Sequence, residues 1–263
     1  MTRGPRRAAP SVHPWAEGGF GRAAEAYECG RPGYPAAAVD FLAARFGLAP
    51  GSVVVDLGAG TGKLSQLLAA TGARVVAVEP VSAMRALIPI GIEAVEGTAE
   101  AIPCGDNTAD AVTCAQSFHW FQPGAALAEI HRVLRPEGGL AILANVRDEA
   151  DPLQRAFLGV LDRYRAHPNL EAGSDPPDVL AGDSRFASPE LHRFPHVHRL
   201  DADAFVAQAA SESSIALLDD IARANALRDF RALVADAGEI ELHYSTEVFS
   251  TRRGARDQKS HAS

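Results

Sequence analysis

The residues best suited to chemistry form a glycine-rich run, Asp56-Leu57-Gly58-Ala59-Gly60-Thr61-Gly62, which continues the β-branched segment 52–57. A short apolar segment of this kind predicts a strand buried on both faces of a parallel sheet. Glycines directly after such a strand let the backbone approach a nucleotide-like ligand at the carboxyl edge of the sheet. The run therefore predicts a binding site for such a ligand, and a plain tight turn between a strand and a helix is the alternative.

Two common phosphate-binding patterns do not fit this run. The P-loop requires a glycine, four further residues and then Gly-Lys-Ser/Thr; Gly62-Lys63 fits, but Leu57 and Leu64 occupy the first and last positions. The dinucleotide fingerprint GxGxxG fails because Lys63 stands at its third glycine. An NAD-type oxidoreductase is therefore a weaker alternative.

An acidic residue, Glu79, ends the next buried segment, 74–79, about twenty residues after the glycine run. A carboxylate at this place accepts hydrogen bonds from both hydroxyls of a ribose. NAD-binding folds share this feature, so Glu79 supports an adenosine ligand without identifying it. An exposed acid at a strand end is the alternative interpretation.

Together with four other segments, the pattern D-x-G-x-G-x-G resembles class I methyltransferases, in the type 11 subgroup that includes quinone-biosynthesis and trans-aconitate methyltransferases. The matching segments are 20–35, 97–103, 116–121 and 129–139. The resemblance implies a Rossmann-like α/β fold with a seven-stranded, mostly parallel sheet, helices on both faces and an N-terminal lid helix within 20–35. It also implies S-adenosyl-L-methionine as the methyl donor and S-adenosyl-L-homocysteine as the product.

The same resemblance implies how the donor is bound. The glycine run would wrap the methionine portion, whose cationic amino group and sulfonium suit Asp56, while Tyr27 and Arg31 of the lid would face the carboxylate. Ordinary packing of a terminal helix is the alternative for those two residues. Many relatives carry an acid at the position of Thr98, so Thr98 and Glu100 are alternative partners for the adenine amino group. The expected cofactor contacts are Tyr27, Arg31, Asp56, Gly58, Ala59, Gly60, Gly62, Glu79, Pro80, Met84, Thr98, Ala99, Glu100, Gln116 and Ser117.

The segment 116–121, which holds His119 and Trp120, follows the predicted fourth strand. In methyl transfer from a sulfonium, the protein aligns the acceptor, excludes water and removes a proton where the acceptor requires it. The resemblance places this turn beside the transferable methyl, and an imidazole suits proton transfer near neutral pH. His119 is therefore the predicted catalytic base or orienting group, with packing as the alternative, and Trp120 the predicted wall near the sulfonium. Tyr34, His119 and Trp120 are the expected acceptor contacts.

Three histidines, His192, His196 and His198, raise the hypothesis of a metal site, because His196 and His198 would share one face of a strand. No cysteine lies near them, and no carboxylate stands at an obvious ligand spacing. We therefore expect a solvated edge strand and no metal.

Strand-like and helix-like segments alternate from residue 52 onward, which indicates a parallel sheet flanked by helices. Further strands are expected at 92–96, 111–116 and 140–144. In the last third, strands at 196–200 and 240–249 enclose one predicted amphipathic helix that carries Ile215, Leu218, Ile221 and Leu233. We expect one domain over 16–250, with disordered segments at 1–15 and 251–263.

Composition limits the partners. The net charge is −8 and no basic stripe with interleaved aromatics is present, which disfavours nucleic acid. No apolar stretch has the length of a spanning helix, and three cysteines without a CxxC pair favour a reducing compartment. We expect a cytoplasmic enzyme, monomeric or homodimeric, for O-, carboxyl- or C-methylation of a small molecule. A catalytically silent, donor-binding regulatory protein is the main alternative.

Overall fold

The computed structural model describes residues 27–164 and 176–254. It contains a seven-stranded sheet in the order β3-β2-β1-β4-β5-β7-β6. The strands are β1 Val53–Leu57, β2 Arg74–Val78, β3 Glu93–Val95, β4 Ala109–Ala115, β5 Leu134–Arg147, β6 Glu190–Leu200 and β7 Ile240–Arg252. Strands β1 to β5 are parallel, whereas β7 is antiparallel to both β5 and β6. The predicted seven-stranded, mostly parallel sheet is confirmed.

The helices are α1 Ala36–Phe46, α2 Lys63–Ala69, α3 Ser82–Arg85, α4 Pro123–Val133, α5 Pro152–Tyr164, α6 Pro176–Ala181, α7 Ala202–Ala210, α8 Ser213–Ala216 and α9 Asp220–Leu233. Successive residues of β1 face opposite sides of the sheet. Val54 packs with α1 and α2, and Val55 packs with α4. Within the described ranges, no helix is both long and apolar enough to cross a membrane.

Helices α5, α7, α8 and α9, which we call the cap, form a separate hydrophobic cluster. Its centre is a group of fully buried rings: Phe157 packs edge-on against Phe205, with ring centroids 5.5 Å apart, and against Phe230 at 4.6 Å. The first residues of β7, including Leu242 and Tyr244, belong to the same cluster. Because Tyr244 pairs with Arg147 at the end of β5, the cap adjoins the carboxyl edge of the sheet.

The C-terminal third differs from the expectation of one amphipathic helix. Between Ile215 and Leu233 the structure has two helices, α8 and α9, because the Asp219 side chain accepts hydrogen bonds from the amides of Ile221 and Ala222 and begins a new helix. Ile221 is consequently 77% exposed, although its spacing predicted a buried position. The prediction of a single helix is wrong.

Three strands are clearly longer than expected, and one of them, β6, begins at Glu190 rather than near residue 196. Strand β5 begins at Leu134, directly after α4, with a register shift between Ala109 and Ala111 of β4. Strand β7 continues to Arg252, so that Thr251, expected in a disordered tail, pairs with Leu140 inside the sheet. The segments 1–26, 165–175 and 255–263 lie outside the described residues, and with them lies the first part, 20–26, of the predicted lid.

Candidate active site

The glycine run forms the turn from β1 into α2 at the carboxyl edge of the sheet. Its three glycines have left-handed backbones, with φ values of 63° at Gly58, 58° at Gly60 and 85° at Gly62. Glycine adopts this region at little cost. The amides of Gly58 and Ala59 donate to the Val78 carbonyl of β2 at 2.9 and 3.2 Å. A Cβ at Gly58 would lie 2.6 Å from that of Ser117, so a larger residue would separate this turn from the turn after β4.

Glu79 follows β2 and holds the glycine turn from the side. Its carboxylate accepts hydrogen bonds from the amides of Gly60 and Val81, both at 2.8 Å. Burial raises the pKa of Glu79, although both amide bonds act in the opposite direction. Since a carboxylate offers about four acceptor positions, Glu79 keeps capacity for the hydroxyls of a ribose.

Residues 27–35, which we call the strap, are the described part of the predicted lid. Residues 27–30 are helical, and Tyr27 packs against Val81 and Met84. A Cβ built on Gly60 would lie 3.9 Å from the Tyr27 ring and 3.7 Å from the Met84 methyl. The strap therefore passes directly over the glycine turn.

Asp56 lies under the same turn and is 1% exposed. Its carboxylate accepts hydrogen bonds from the hydroxyls of Ser65, at 2.6 Å, and Thr113, at 2.7 Å. Burial raises the pKa of Asp56 to about 6, and the two hydroxyl bonds limit the shift. A buried carboxylate here is suited to a cationic ligand above it.

The turn after β4 carries the residues predicted to contact the reacting groups. Gln116 has a φ of 52°, which is uncommon for a residue other than glycine and is often found at functional sites. The Ser117 hydroxyl donates to the Leu57 carbonyl at 2.7 Å. A short 3-10 helix, Phe118–Trp120, then presents His119 and Trp120, whose ring centroids are 5.0 Å apart.

The two alternative adenine partners after β3 differ in their hydrogen bonds. Glu100 accepts a bond from the Gln122 amide at 2.8 Å. The buried hydroxyl of Thr98 has no partner among the described residues, and the neighbouring Ala99 belongs to the core. These contacts favour Thr98 as the group that remains available to a ligand.

A cavity of about 580 Å³ lies between the strap, the ends of β1, β4 and β5, and the cap. The predicted site residues that line it are Tyr27, Arg31, Tyr34, Asp56, Gly58, Ala59, Gln116, Ser117, His119 and Trp120. The other predicted residues are not part of this lining, and most of them follow β2 and β3. They are Gly60, Gly62, Glu79, Pro80, Met84, Thr98, Ala99 and Glu100.

Several lining residues were not predicted from the sequence. Thr61, Lys63 and Leu64 belong to the glycine turn and its helix, so their position in the motif could have indicated them. The others come from the end of β5, the cap and β7, where the sequence contains no recognisable motif: Asn145, Arg147, Leu158, Leu161, Gln208, Glu212, Ser213 and Tyr244.

Arg31 does not lie free above the glycine turn. Its guanidinium donates to the Glu212 carboxylate at 2.9 Å and to the Ser211 hydroxyl at 2.9 Å. Arg147 donates to the other oxygen of Glu212 at 2.7 Å. Although burial acts to raise it, the charges of the two arginines lower the pKa of Glu212. This buried carboxylate therefore joins the strap to the end of β5.

His119 belongs to the turn after β4, lines the cavity and retains exposure to solvent. Desolvation by the surrounding walls, assisted by the positive charge of Arg31, lowers the pKa of His119 to about 4. The imidazole is therefore uncharged at neutral pH and able to accept a proton.

The histidines of β6 contact three different partners. The Nε2 atom of His198 lies 3.0 Å from the Gly30 carbonyl oxygen of the strap. The ring of His196 is tilted against that of Tyr244, with centroids 6.3 Å apart, and the ring of His192 lies 4.2 Å from that of Phe41. Among residues 27–164 and 176–254, no three His, Cys, Asp or Glu side chains are grouped as ligands for a metal ion.

Comparison with known proteins decides the family. The model of the methyltransferase domain matches residues 55–142, from β1 into β5. An uncharacterized methyltransferase of Schizosaccharomyces pombe is 33% identical over 186 residues, covering 66% of this chain and 73% of that protein. The chain belongs to the methyltransferase family. An uncharacterized methyltransferase of Mycobacterium tuberculosis is 49% identical to this methyltransferase over 134 residues. That match covers 49% of the chain and spans about half of the relative's length, 53%.

A solved structure agrees with the fold of this methyltransferase. A protein from Anaeromyxobacter dehalogenans, described as a type II methyltransferase, superposes with a TM-score of 0.61 and 24% identity. The superposition covers 85% of this methyltransferase and 97% of the other chain. At this identity the likeness concerns the fold, and it confirms the Rossmann-like class I architecture.

Proposed function

We propose that this methyltransferase transfers a methyl group from S-adenosyl-L-methionine to a small-molecule acceptor bound in the cavity. The observation that supports the proposal most is the glycine turn with Glu79 beside it. Gly60 leaves backbone without a Cβ beside Met84 and Tyr27, and the buried hydroxyl of Thr61 in the same turn has no partner within the described part of the chain. Bare backbone, an unpaired hydroxyl and two carboxylates fit the polar, cationic donor.

The donor supplies a methyl group that its sulfonium already activates, so the protein contributes binding and alignment. In this proposal, Glu79 binds the ribose hydroxyls, the Thr98 hydroxyl binds the adenine edge, and Asp56 offsets the positive charge. Arg31 and Tyr27 bring the strap over the methionine portion. The further donor contacts in this proposal are those expected from the sequence: Gly58, Ala59, Gly60, Gly62, Pro80, Met84, Ala99, Glu100, Gln116 and Ser117.

The net charge of −8 supports a small acceptor rather than a nucleic acid. Tyr34, His119 and Trp120 line the cavity where an acceptor would enter. Because the imidazole of His119 is neutral, it is in the correct protonation state to remove a proton from an acceptor hydroxyl or carbon acid.

Donor binding tests the proposal directly. We expect calorimetry to show binding of S-adenosyl-L-homocysteine by the wild-type protein and at least a ten-fold loss, about 1.4 kcal/mol, in Glu79→Gln, because the amide removes the charged acceptor. Glu96→Gln is the matched control, since Glu96 carries an exposed side chain that pairs with Arg85. A folded wild-type protein that gives no binding heat would overturn the proposal.

The catalytic role of His119 has its own test. For an acceptor that must lose a proton, we expect His119→Gln to lower kcat by about 100-fold, the lower range for general base catalysis, without changing donor affinity. His243→Gln is the control, because His243 is an exposed residue of β7 that contacts Asp151. Unaltered turnover of the true acceptor by His119→Gln would show that His119 is not the base.

A further inference from the structure

The cavity wall contains a buried pair of polar side chains, Gln208 of α7 and Tyr244 of β7. Gln208 is 0% exposed and Tyr244 is 6% exposed. The Tyr244 hydroxyl oxygen accepts two hydrogen bonds, from Gln208 Nε2 at 2.5 Å and from Arg147 Nη1 at 3.1 Å. Its own proton is therefore left for another acceptor.

The amide of Gln208 is only half satisfied. Its Oε1 atom is buried and has no hydrogen-bond partner among the described residues. A buried acceptor in this state costs free energy until a donor reaches it. The cavity wall thus presents an unpaired acceptor, Gln208 Oε1, beside an available donor, the Tyr244 hydroxyl.

A hydroxyl group is the chemical complement of this pair, because it donates one hydrogen bond and accepts others. It would donate to Gln208 and accept from Tyr244. If the amide were rotated by 180°, Tyr244 would donate to Gln208 and the amide nitrogen would face the ligand, which a hydroxyl oxygen also satisfies. We propose that Gln208 and Tyr244 form a subsite for a hydroxyl group of the methyl acceptor, an inference that rests on the proposed function.

The charges around the cavity favour a neutral acceptor over a carboxylate. Glu212 already pairs with both Arg31 and Arg147. With the donor bound, the cations Arg31, Arg147 and Lys63 and the single net positive charge of S-adenosyl-L-methionine are balanced by the carboxylates of Glu28, Asp56, Glu79 and Glu212. An acceptor carboxylate would add a charge without a counter-ion in a desolvated site, which is unfavourable.

Part of the cavity wall is apolar. Leu158 and Leu161 of α5 and the indole of Trp120 belong to the lining. Such a surface contacts the hydrocarbon or aromatic body of a ligand and leaves the polar groups at the end to orient it. The acceptor class is therefore a neutral molecule with an apolar body and a hydroxyl group that anchors it.

The test uses phenol, anisole and benzoate as probes, with ligand-observed NMR as the measurement. Each is titrated into the protein saturated with sinefungin, a donor analogue whose amine carries the positive charge of the sulfonium. We expect phenol to bind more tightly than anisole, which cannot donate, and than benzoate, which is charged. Tyr244→Phe and Gln208→Met should each weaken phenol binding about five-fold, the effect of one hydrogen bond.

Tyr164→Phe is the matched control, because the Tyr164 hydroxyl bonds to Asp229 outside the cavity lining. It should leave phenol binding unchanged. Two results would overturn the hydroxyl subsite. One is that Tyr244→Phe or Gln208→Met, in a folded state, binds phenol as tightly as the wild type does. The other is tighter binding of benzoate than of phenol. Sinefungin binding without phenol binding rejects this subsite alone, whereas absence of sinefungin binding rejects the proposed function as well.

Discussion

Asp56 is a carboxylic acid that the fold buries almost completely between two hydroxyl groups. Its pKa of about 6 in the folded protein lies above the ordinary value of 3.8. Between these pH values the folded state holds a proton that the unfolded state has lost. The contribution of this group to the free energy of unfolding therefore falls as pH rises from 3.8 to about 6. Above that range the buried carboxylate destabilises the folded state by the full amount, on the order of 3 kcal/mol.

Replacing Asp56 by asparagine should remove this dependence on pH. We expect the stability of the wild type relative to Asp56→Asn to fall by ~2.4 kcal/mol between pH 4 and pH 7, because the amide does not ionise. Urea unfolding of both proteins across that range is the measurement. Asp236→Asn, at an exposed position, should run parallel to the wild type. Parallel curves for Asp56→Asn would show that Asp56 titrates normally in the folded protein.

The sequence could place Asp56 and Arg31 in the site, but it could not supply their partners. Thr113 meets Asp56 only because β1 and β4 pair in register, with these two residues opposite each other. Arg31 was expected to face the donor, and the structure shows it paired with Glu212, 181 positions later in the chain. Ion pairs of this separation leave no periodic signal in a single sequence.

The strap is the element whose packing determines how the site is covered. Gly30 lies against the backbone of α7: a Cβ there would stand 2.1 Å from the Gln208 amide nitrogen. Lys63 donates to the Glu28 carbonyl at 2.7 Å, and the Asn145 amide donates to the Gly33 carbonyl at 2.9 Å. Contacts from α2, β5 and the cap thus hold one short segment in place.

A methyl group at Gly30 should detach the strap from the cap, because backbone atoms cannot move aside as a flexible side chain can. We expect Gly30→Ala to weaken S-adenosyl-L-homocysteine binding by at least about five-fold, given a clash of roughly 1–3 kcal/mol. Proteolytic cleavage within residues 27–35 should become faster. Gly33→Ala is the control, since a Cβ there has open space around it. Equal affinities and cleavage rates in the two variants would refute the role of this contact.

Among the elements, β1, β2 and the glycine turn followed from the sequence because buried parallel strands are uninterrupted β-branched runs. The last part of the cap did not. Apolar residues continue at helical spacing across Asp219, so periodicity alone joined α8 to α9. The helix boundary depends instead on the hydrogen bonds that the Asp219 side chain accepts from the first amides of α9. These bonds override the apolar pattern.

Considered as a whole, the sheet has its point of reversed strand order between β1 and β4. Ligands of open α/β sheets bind in the crevice at such a point, and the cavity opens there. Fold class and the donor side of the site could therefore be predicted. The acceptor side could not, because Arg147, Gln208 and Tyr244 come from three separate elements and meet only in the folded chain.

The pairing of Arg31 with Glu212 also sets an order of events during synthesis. The strap leaves the ribosome early, but its partner in the cap is made 181 residues later, roughly 10 to 40 s afterwards at ordinary translation rates. Until then the strap can contact α2, β5 and β6, but it lacks its charged partner in the cap. The nascent protein therefore acquires the donor-binding surface first and a closed reaction chamber only when the chain is nearly finished.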